Sequence, residues 1–387
     1  MMRYVTAGES HGKQLTVILE GIPAGLKLST DDVNKELARR QEGYGRGARM
    51  KIEKDAVEFV GGVRLGETIG SPICMVIKNF DWENWQNLMA SEYRKLDNKT
   101  HQVRPRPGHA DLAAAIKYGR TDLRDILERA SARETASRVA AGAVCKKFLQ
   151  TFDIRIGSFV KVIGGVSADI SLYSTGSEMV KHAEKSSLRT PDPVAEKKMI
   201  DAIAAAEEKG DTVGGVFTVV AQSVPVGLGS HTQWDQKLDA RMAMSLMSIQ
   251  AVKGVEFGLG FGFGYKNGSL VHDEIFFSKE KRFYRTTNNA GGFEGGITNG
   301  EEVLATCVMK PIPSLKRALK SVNLITKKAD LAEAVRSDIC AVPAAGVIGE
   351  SAVAFELSRA MKEKFGGDSM DEIQRTVLSY RAYANTF

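Results

Sequence analysis

The sequence predicts an α+β protein, because short strand-like segments alternate with amphipathic helices from one end of the chain to the other. Runs of apolar and β-branched residues predict strands at residues 3–7, 15–19, 72–77, 154–163, 213–221 and 303–309. Apolar residues at a period of 3.6 predict helices at residues 30–41, from about 121, at 193–209, at 235–252 and after 348. The phrase Val57-Glu-Phe returns as Val255-Glu-Phe257, each time before glycines, which is compatible with two related halves but does not prove a repeat.

The first two predicted strands are joined by the turn Gly8-Glu-Ser-His-Gly12. Glycines on both sides let the backbone turn tightly and present Ser10 and His11 at the tip. The simpler alternative is a hairpin turn that carries a solvent-exposed histidine.

The first predicted helix begins with a capping box formed by Ser29 and Asp32 and ends near Gln41. Arg39 and Arg40 stand in its last turn, where cations also suit the helix dipole. The dipole is a sufficient reason for one of these arginines but not for both, so a ligand role for Arg40 stays open.

The stretch from residue 104 to 143 holds the densest set of functional residue types. Arg104, Arg106 and His109 fall within six positions of a loop whose backbone is stiffened by Pro105 and Pro107. A rigid loop that carries guanidinium and imidazole groups suits a small anion whose oxygens need fixed, forked donors.

One long helix is predicted after this loop, with so many alanines on its apolar face that it must pack closely on another backbone. Arg129 and Arg133 are four positions apart in that helix and therefore share a face. Alternatively they pair with Glu128 or Glu134 on a solvated face.

Three further segments carry candidate ligand contacts. Arg46 and Arg49 lie in the glycine-rich stretch 43–49, which is either a ligand loop or a flexible segment. The glycines at 291, 292, 295 and 296, within residues 287–300, leave bare amides that can bind phosphate or the polar edge of a cofactor, or else form a mobile surface loop. Lys310-Pro-Ile-Pro-Ser314 is a second stiff, polar corner.

Two other segments are ambiguous. Residues 81–103 are polar and irregular, and they form either a lid or subunit contact or, as we favour, a surface segment held by Trp82 and Trp85. Arg336 and Asp338 are two apart on an extended segment and point the same way. They form either an ion pair or an anion contact beside a proton-accepting carboxylate.

Composition places the chain among ordinary globular proteins and favours a pocket for an anion. The 387 residues carry a formal charge of +6, and the arginines concentrate in Gly- and Pro-containing loops and not in a long basic block. No window approaches 18 unbroken apolar residues, and no secretory signal is apparent. Four distant cysteines without a CxxC indicate reduced thiols, so we expect a cytoplasmic protein that binds neither membrane nor nucleic acid.

Six motifs occur in one order: GESHG, GYGRGARMKIE, RPGHAD followed by KYG, RASARETASRVAAGA, NNAGGFEGGITNG and RSDICAVPAAG. Together they resemble the chorismate synthase family over essentially the whole chain. The resemblance implies a single domain of residues 1–387, in which a helical layer lies between antiparallel sheets with internal pseudo-two-fold symmetry, assembled as a homotetramer.

The resemblance also implies a reaction. The family converts 5-enolpyruvylshikimate-3-phosphate to chorismate and phosphate by a 1,4-anti elimination. It needs reduced FMN without net redox change, and NAD(P)H enters only as a source of the reduced flavin. No metal is expected.

The matching positions imply residue roles. His11 protonates the departing phosphate, His109 protonates or stabilises reduced flavin, and Asp338 takes the proton relayed through the flavin. The residues expected to contact the anionic substrate are Ser10, Arg40, Arg46, Arg49, Arg106, Arg133 and Arg336. The residues expected to contact FMN are Arg129, Ala130, Ser131, Gln250, Ala251, Gly295, Lys310, Pro311, Ile312, Pro313, Ser314 and Arg336. Ala130 and Ile312 depart from the polar residues frequent in the family, which puts particular flavin hydrogen bonds in doubt.

Two other classes of function compete with this one. A flavin-dependent oxidoreductase would consume NAD(P)H in step with product, but no GxGxxG follows a strand and opens a helix. A nucleic-acid-binding module would bind with strong salt dependence, but stacking aromatics are scarce near Arg46 and Arg49.

Overall fold

A computed structural model describes residues 2–47, 54–95, 100–334 and 337–387. Its strands are β1 Arg3–Ala7, β2 Gln14–Glu20, β3 Val57–Gly61, β4 Val63–Arg64, β5 Glu67–Thr68, β6 Ile73–Lys78, β7 Arg155–Ile163, β8 Val166–Ser167, β9 Gly215–Gln222, β10 Val252–Phe257, β11 Ile275–Ser278, β12 Arg282–Arg285, β13 Phe293–Glu294, β14 Ile297–Thr298, β15 Val303–Met309, β16 Lys320–Val322 and β17 Ala329–Leu331. Its helices are α1 Thr30–Gln41, α2 Trp82–Trp85, α3 Asp111–Tyr118, α4 Arg124–Ala130, α5 Thr135–Gln150, α6 Gly176–Ala183, α7 Pro193–Glu208, α8 Leu238–Met247, α9 Val342–Phe365 and α10 Met370–Thr386.

Two antiparallel sheets enclose a layer of helices, as the resemblance implied. The first sheet has the strand order β1-β2-β6-β3, and the second has the order β10-β15-β9-β7-β8. Helices α1, α5 and α9 pack on one another, with α5 against β2 and α9 against β7 and β9. The helices thus bury one side on each sheet, and a continuous apolar core runs from Met2 to Val377.

The two halves repeat one topology. In the first half, the sheet consists of β1, β2, β3 and β6 in chain order, and these strands lie in the spatial order first-second-fourth-third. In the second half, β7, β9, β10 and β15 lie in the same order. A long helix follows the second and fourth strands in each half, α1 and α5 in one and α8 and α9 in the other. The phrases at residues 57–59 and 255–257 fall in the equivalent strands β3 and β10, so the suggested repeat is confirmed.

Close helix packing explains the small residues in the middle of the chain. Helices α5 and α9 approach so closely at Gly142 that a Cβ atom there would lie 2.2 Å from the Cβ atom of Ser351. This confirms the prediction that the alanine-rich face packs against another backbone.

The single long helix predicted from residue 121 is wrong, because the helix breaks at Ser131. Helix α4 ends at Ala130, Ser131 is extended with φ −61° and ψ 141°, and a 3₁₀ turn at 132–134 leads into α5. Arg129 and Arg133 therefore do not share a face: the first lies at the surface and the second is buried.

Other boundaries also differ from prediction. The helix predicted at residues 235–252 spans only Leu238–Met247, because Val252 already pairs with Met309 in the second sheet. The helix predicted after residue 348 begins at Val342 and is followed by α10. The glycine-rich stretch 287–300 contains the hairpin β13–β14, in which Phe293 and Thr298 are buried, so it is not merely a surface loop. Among the described residues, none of the helices is long and apolar enough to cross a membrane.

Candidate active site

A buried carboxylate joins two of the predicted arginines. Asp55 accepts a hydrogen bond from Nη1 of Arg133 at 2.5 Å and from Nη2 of Arg40 at 3.1 Å. Burial lowers the pKa of Arg40 to about 10, with Asp55 opposing this shift and the nearby Arg133 and Arg46 adding to it. The fold thus brings the guanidinium groups of Arg40, Arg46 and Arg133 together, and each of them needs a carboxylate or an anionic ligand nearby.

The same arginines are tied to the turn that carries the first histidine. Asn79 accepts hydrogen bonds at its Oδ1 from Nε and Nη2 of Arg133, at 3.0 and 2.9 Å. Its Nδ2 donates to the main-chain oxygens of Glu9 and Gly12 at 3.2 and 2.6 Å. Asn79 thereby fixes the position of the Gly8–Gly12 turn against Arg133.

A second carboxylate closes the cluster on its other side. Asp338 pairs with Nη1 of Arg46 at 2.9 Å and accepts the main-chain N–H of Gly47 at 2.6 Å. We call Arg40, Arg46, Arg133, Asp55 and Asp338 the arginine cluster. The predicted contacts of Arg49 and Arg336 lie outside the described residues.

The imidazole of His11 is held in a built environment, so the alternative of an exposed histidine on a hairpin turn is wrong. Its Nδ1 lies 2.9 Å from Oε1 of Glu128, and its main-chain N–H donates to Oε2 of the same carboxylate at 2.8 Å. The ring stacks on the indole of Trp85 with 3.9 Å between centroids and 27° between planes. Only 20% of the His11 side chain is exposed.

The break at Ser131 brings the two predicted serines together. The hydroxyl of Ser131 donates to the hydroxyl of Ser10 at 3.1 Å, and the main-chain N–H of Ser10 donates to the carbonyl oxygen of Glu128 at 2.9 Å. The first turn and the end of α4 therefore form one unit.

The second histidine belongs to a group built on the Pro-rich loop. Asp111 accepts hydrogen bonds from Nε of Arg106 at 2.9 Å and from Nδ1 of His109 at 2.5 Å. Nη1 of Arg106 donates to the hydroxyl of Ser314 at 2.9 Å, and the hydroxyl of Ser337 donates to the carbonyl oxygen of Ser314 at 2.5 Å. Since Ser337 precedes Asp338, this Arg106 group adjoins the arginine cluster.

Several residues predicted to hold the flavin lie beside the Pro-rich loop, and Gly295 lies apart from them. Nζ of Lys310 donates to the carbonyl oxygen of Gly108, and the main-chain N–H of Lys310 donates to the carbonyl oxygen of Ala251 at 3.0 Å. Pro313 lies beside Gly108, and the carbonyl oxygen of Ile312 accepts the hydroxyl of Thr212. Gly295 forms the turn of β13–β14 near His231. Among the described residues it has no contact with the arginine cluster or with the Arg106 group.

Two predicted flavin contacts, Arg129 and Gln250, line a cavity of about 440 Å³. It is lined by Tyr4, Thr6, Arg129, Glu134, Arg138, Ser248 and Gln250. Arg129 donates to the main-chain oxygens of Thr6 and Gly8, and Nε2 of Gln250 donates to Glu134. Neither His11 nor His109 lines this cavity.

Sequence reasoning missed the partners of the predicted residues. They are Asp55, Asn79, Trp85, Asp111 and Glu128. Asp111 and Glu128 carried a signal, because Asp111 ends the motif RPGHAD and Glu128 stands directly before the motif RASARETASRVAAGA. Trp85 was assigned to the surface, although its indole covers His11. Asp55 and Asn79 have no local signal, since their partners lie far away in the chain.

The fold and this arrangement are those of an enzyme for a small substrate with several anionic groups. The family model described as chorismate synthase matches residues 2–361. The chain is 54% identical to chorismate synthase from Geobacter metallireducens over 100% of both chains, and 56% identical to that from Endomicrobium trichonymphae over 98% of both. A crystal structure of chorismate synthase covers 100% of this chain and 99% of its own, at 45% identity and a TM-score of 0.81.

The chain belongs to the chorismate synthase family. It is thus a lyase of the route to the aromatic amino acids, and the fold class expected from the resemblance is confirmed.

Proposed function

We propose that this chain catalyses the 1,4-anti elimination of phosphate from 5-enolpyruvylshikimate-3-phosphate to give chorismate, with reduced FMN as cofactor. The observation that supports this most is the arginine cluster, where three guanidinium groups face two carboxylates next to both histidine-bearing loops. The substrate carries a phosphate and two carboxylates, so it supplies the negative charge that this cluster lacks.

The anionic groups of the substrate would be bound by residues of the cluster and its neighbours. These residues are Ser10, Arg40, Arg46, Arg49, Arg106, Arg133 and Arg336. Nε of Arg40 is buried and has no hydrogen-bond partner among the described residues. Since a buried donor without an acceptor is costly, a nearby anion would relieve that cost.

Two proton transfers are assigned to side chains of this chain. His11 would give a proton to the phosphate oxygen as the carbon–oxygen bond breaks, because an imidazole can hold and release a proton near neutral pH. Asp338 would take the proton relayed through the flavin, and its contacts with Arg46 and the N–H of Gly47 hold it in place. His109 would protonate or stabilise the reduced flavin.

The residues near the cavity fit FMN. Oε1 of Gln250 is a buried acceptor with no partner in the described part of the chain, and it belongs to a side chain that lines the cavity. An N–H donor at the edge of a flavin would satisfy it. Arg129, Ala130, Ser131, Ala251 and Gly295, together with Lys310 to Ser314 and Arg336, would contribute the remaining contacts. When bound, reduced FMN supplies electron density transiently to the substrate, and NAD(P)H serves only to reduce it.

The test is anaerobic turnover with chemically reduced FMN and 5-enolpyruvylshikimate-3-phosphate. Release of phosphate and chorismate in equal amounts, without net oxidation of the flavin, is the expected result. Absence of phosphate release contradicts the proposal. Stoichiometric consumption of NAD(P)H with product would instead favour the competing oxidoreductase.

We also propose that the chain forms one domain over residues 1–387, works in the cytoplasm and assembles as a homotetramer. The continuous core from Met2 to Val377 supports the single domain. Light scattering after size exclusion measures the assembly directly, and a mass of one chain, 42.1 kDa, would contradict the tetramer.

A further inference from the structure

In both His11 and His109, a buried carboxylate contacts Nδ1 of the imidazole, and an arginine donates to the same carboxylate. For His11, Nδ1 lies 2.9 Å from Oε1 of Glu128, and Nη1 of Arg124 donates to that oxygen at 3.4 Å. Glu128 is only 3% exposed. It therefore has little access to water and interacts mainly with these partners.

The second imidazole repeats the arrangement on another element. For His109, Nδ1 lies 2.5 Å from Oδ1 of Asp111, and Nε of Arg106 donates to Oδ2 at 2.9 Å. Nη2 of Arg106 also lies 3.1 Å from Nδ1 and 3.3 Å from Nε2 of the ring. Asp111 is 1% exposed.

Both carboxylates are ionised in this environment. Burial alone would raise the pKa of Glu128, but the hydrogen bond and charge of His11, with Arg124, outweigh it and lower that pKa. The pKa of Asp111 is likewise lowered, against burial, by hydrogen bonds from His109 and Arg106. An ionised carboxylate only accepts hydrogen bonds, so the Nδ1 that faces it carries hydrogen.

We propose that Glu128 and Asp111 are positioning residues that fix the Nδ1–H tautomer of His11 and His109, so that Nε2 of each ring exchanges the proton in the reaction. This inference rests on the proposed function for its catalytic meaning. The arginine partner balances the carboxylate charge, so the ring can alternate between its neutral and charged forms while its orientation is kept.

The stacked indole of Trp85 fixes the plane of the His11 ring, which the carboxylate of Glu128 alone does not. A hydrogen bond at one ring nitrogen still allows the imidazole to rotate about the line to its acceptor. Trp85 lies face to face with His11, and its own Nε1 donates to Asp81 at 2.9 Å. The ring plane of His11 is thereby set as well as its hydrogen bond.

Amide variants of Glu128 and Asp111 test the assignment of the tautomers. In Glu128→Gln, the main-chain N–H of His11 keeps the amide oxygen at the Oε2 position, so the NH₂ group takes the Oε1 position, 2.9 Å from Nδ1. Nδ1 then faces this donor and one remaining acceptor, the oxygen 3.0 Å away. In Asp111→Asn, the main-chain N–H and Nε of Arg106 both donate to Oδ2 and favour the oxygen there, although Oδ1 also accepts Nη2 of Arg106 at 3.2 Å. The NH₂ group then faces Nδ1 of His109. Each variant should therefore shift one ring toward the Nε2–H tautomer and leave the other unchanged.

The tautomers are read from two-bond ¹H–¹⁵N correlation spectra of ¹⁵N-histidine-labelled protein at alkaline pH, with His11→Ala and His109→Ala to assign the signals. Wild type should show Nδ1–H at both rings. An Nε2–H tautomer at both rings of the wild type overturns the proposal, whatever happens to catalysis, and whether or not either variant folds well.

Kinetics provide the second readout. Each amide variant should lower kcat by on the order of 10²–10⁴-fold while KM stays within a few-fold, because proton transfer and not binding is affected. Glu356→Gln is the matched control, since Glu356 is a buried carboxylate that pairs with Arg241 and no imidazole. It should change neither tautomer and keep kcat within a few-fold. Inverted tautomers with unchanged kcat would remove both carboxylates from the reaction, whereas an inactive wild type would contradict the proposed function and leave the tautomer result valid.

Discussion

Thr298 makes in the second half of the chain the hydrogen bonds that Thr68 makes in the first. The Oγ1 atom of each donates to a proline carbonyl oxygen, at 2.7 and 2.6 Å, and accepts a leucine N–H at 2.8 and 2.9 Å. Each main-chain N–H donates to the same leucine, and each carbonyl oxygen accepts a glycine N–H. The bonded groups belong to Pro23, Gly25 and Leu26 in one half and to Pro225, Gly227 and Leu228 in the other. The internal repeat thus extends from strand order to individual hydrogen bonds.

These two threonines predict a stability effect. In Thr298→Val or Thr68→Val the shape is kept, but a buried N–H and a buried carbonyl oxygen each lose a partner, at a cost of about 1–3 kcal/mol. Urea denaturation should show a lower free energy of unfolding for both variants. Thr121→Val, at an exposed position, is the control and should change little. An effect confined to one half would show that the repeat is not energetically equivalent.

Asp55 predicts a charge effect within the arginine cluster. Asp55→Asn leaves Arg40 and Arg133 buried without a counter-charge, which costs about 3–5 kcal/mol when one partner of a buried pair is removed. Inorganic phosphate should raise the melting temperature of this variant more than that of the wild type, because the anion replaces the lost charge. Asp31→Asn, at an exposed position of α1, controls for the loss of one surface charge. Equal stabilisation of both proteins by phosphate would show that no anion reaches the cluster.

Glu350 predicts a pH dependence of stability. This fully buried carboxylate pairs with Lys146 and Arg39 at 2.7 Å and with Arg189 at 3.2 Å. Burial would raise the pKa of Glu350, but the three cations outweigh it and lower the pKa well below its ordinary range. Because the folded-state pKa is depressed, the contribution is complete above the unfolded-state pKa of about 4.3 and is lost as pH falls below it.

The check is unfolding of wild type and Glu350→Gln across pH. The difference in free energy of unfolding should be constant near neutral pH and should shrink as the pH falls below about 4. A difference that does not depend on pH would show that Glu350 is not ionised in the folded protein.

Local sequence signals predicted the elements that depend on local interactions. The capping box of Ser29 and Asp32 starts α1, and α7 begins at Pro193, both at their expected positions. The break at Ser131 could not be predicted in this way. No glycine or proline interrupts the helical pattern there, and the break accompanies a hydrogen bond to Ser10, which lies 121 positions earlier.

The sequence predicted the arginines and histidines of the candidate site but not the residues that pair with them. Arginines and histidines stand out in loops because few structural reasons place them there. The pairing of these residues with their carboxylates has no local signal: Asp55 lies 78 positions from Arg133, and Glu128 lies 117 from His11. Residues so far apart are brought together by the packing of sheets and helices, which a local pattern does not contain.

The assigned proton donor and acceptor give the final prediction. His11→Ala and Asp338→Asn should fold and bind FMN, yet lose kcat by on the order of 10²–10⁴-fold, because each removes one proton transfer. Asparagine at position 338 keeps an oxygen for the N–H of Gly47, so the loop is preserved while the charge is lost. His272→Ala is the control, because this histidine is exposed. Circular dichroism and flavin titration verify folding and binding, and phosphate release from the anaerobic assay gives the rate. Near-normal rates in both variants would exclude these residues from the chemistry.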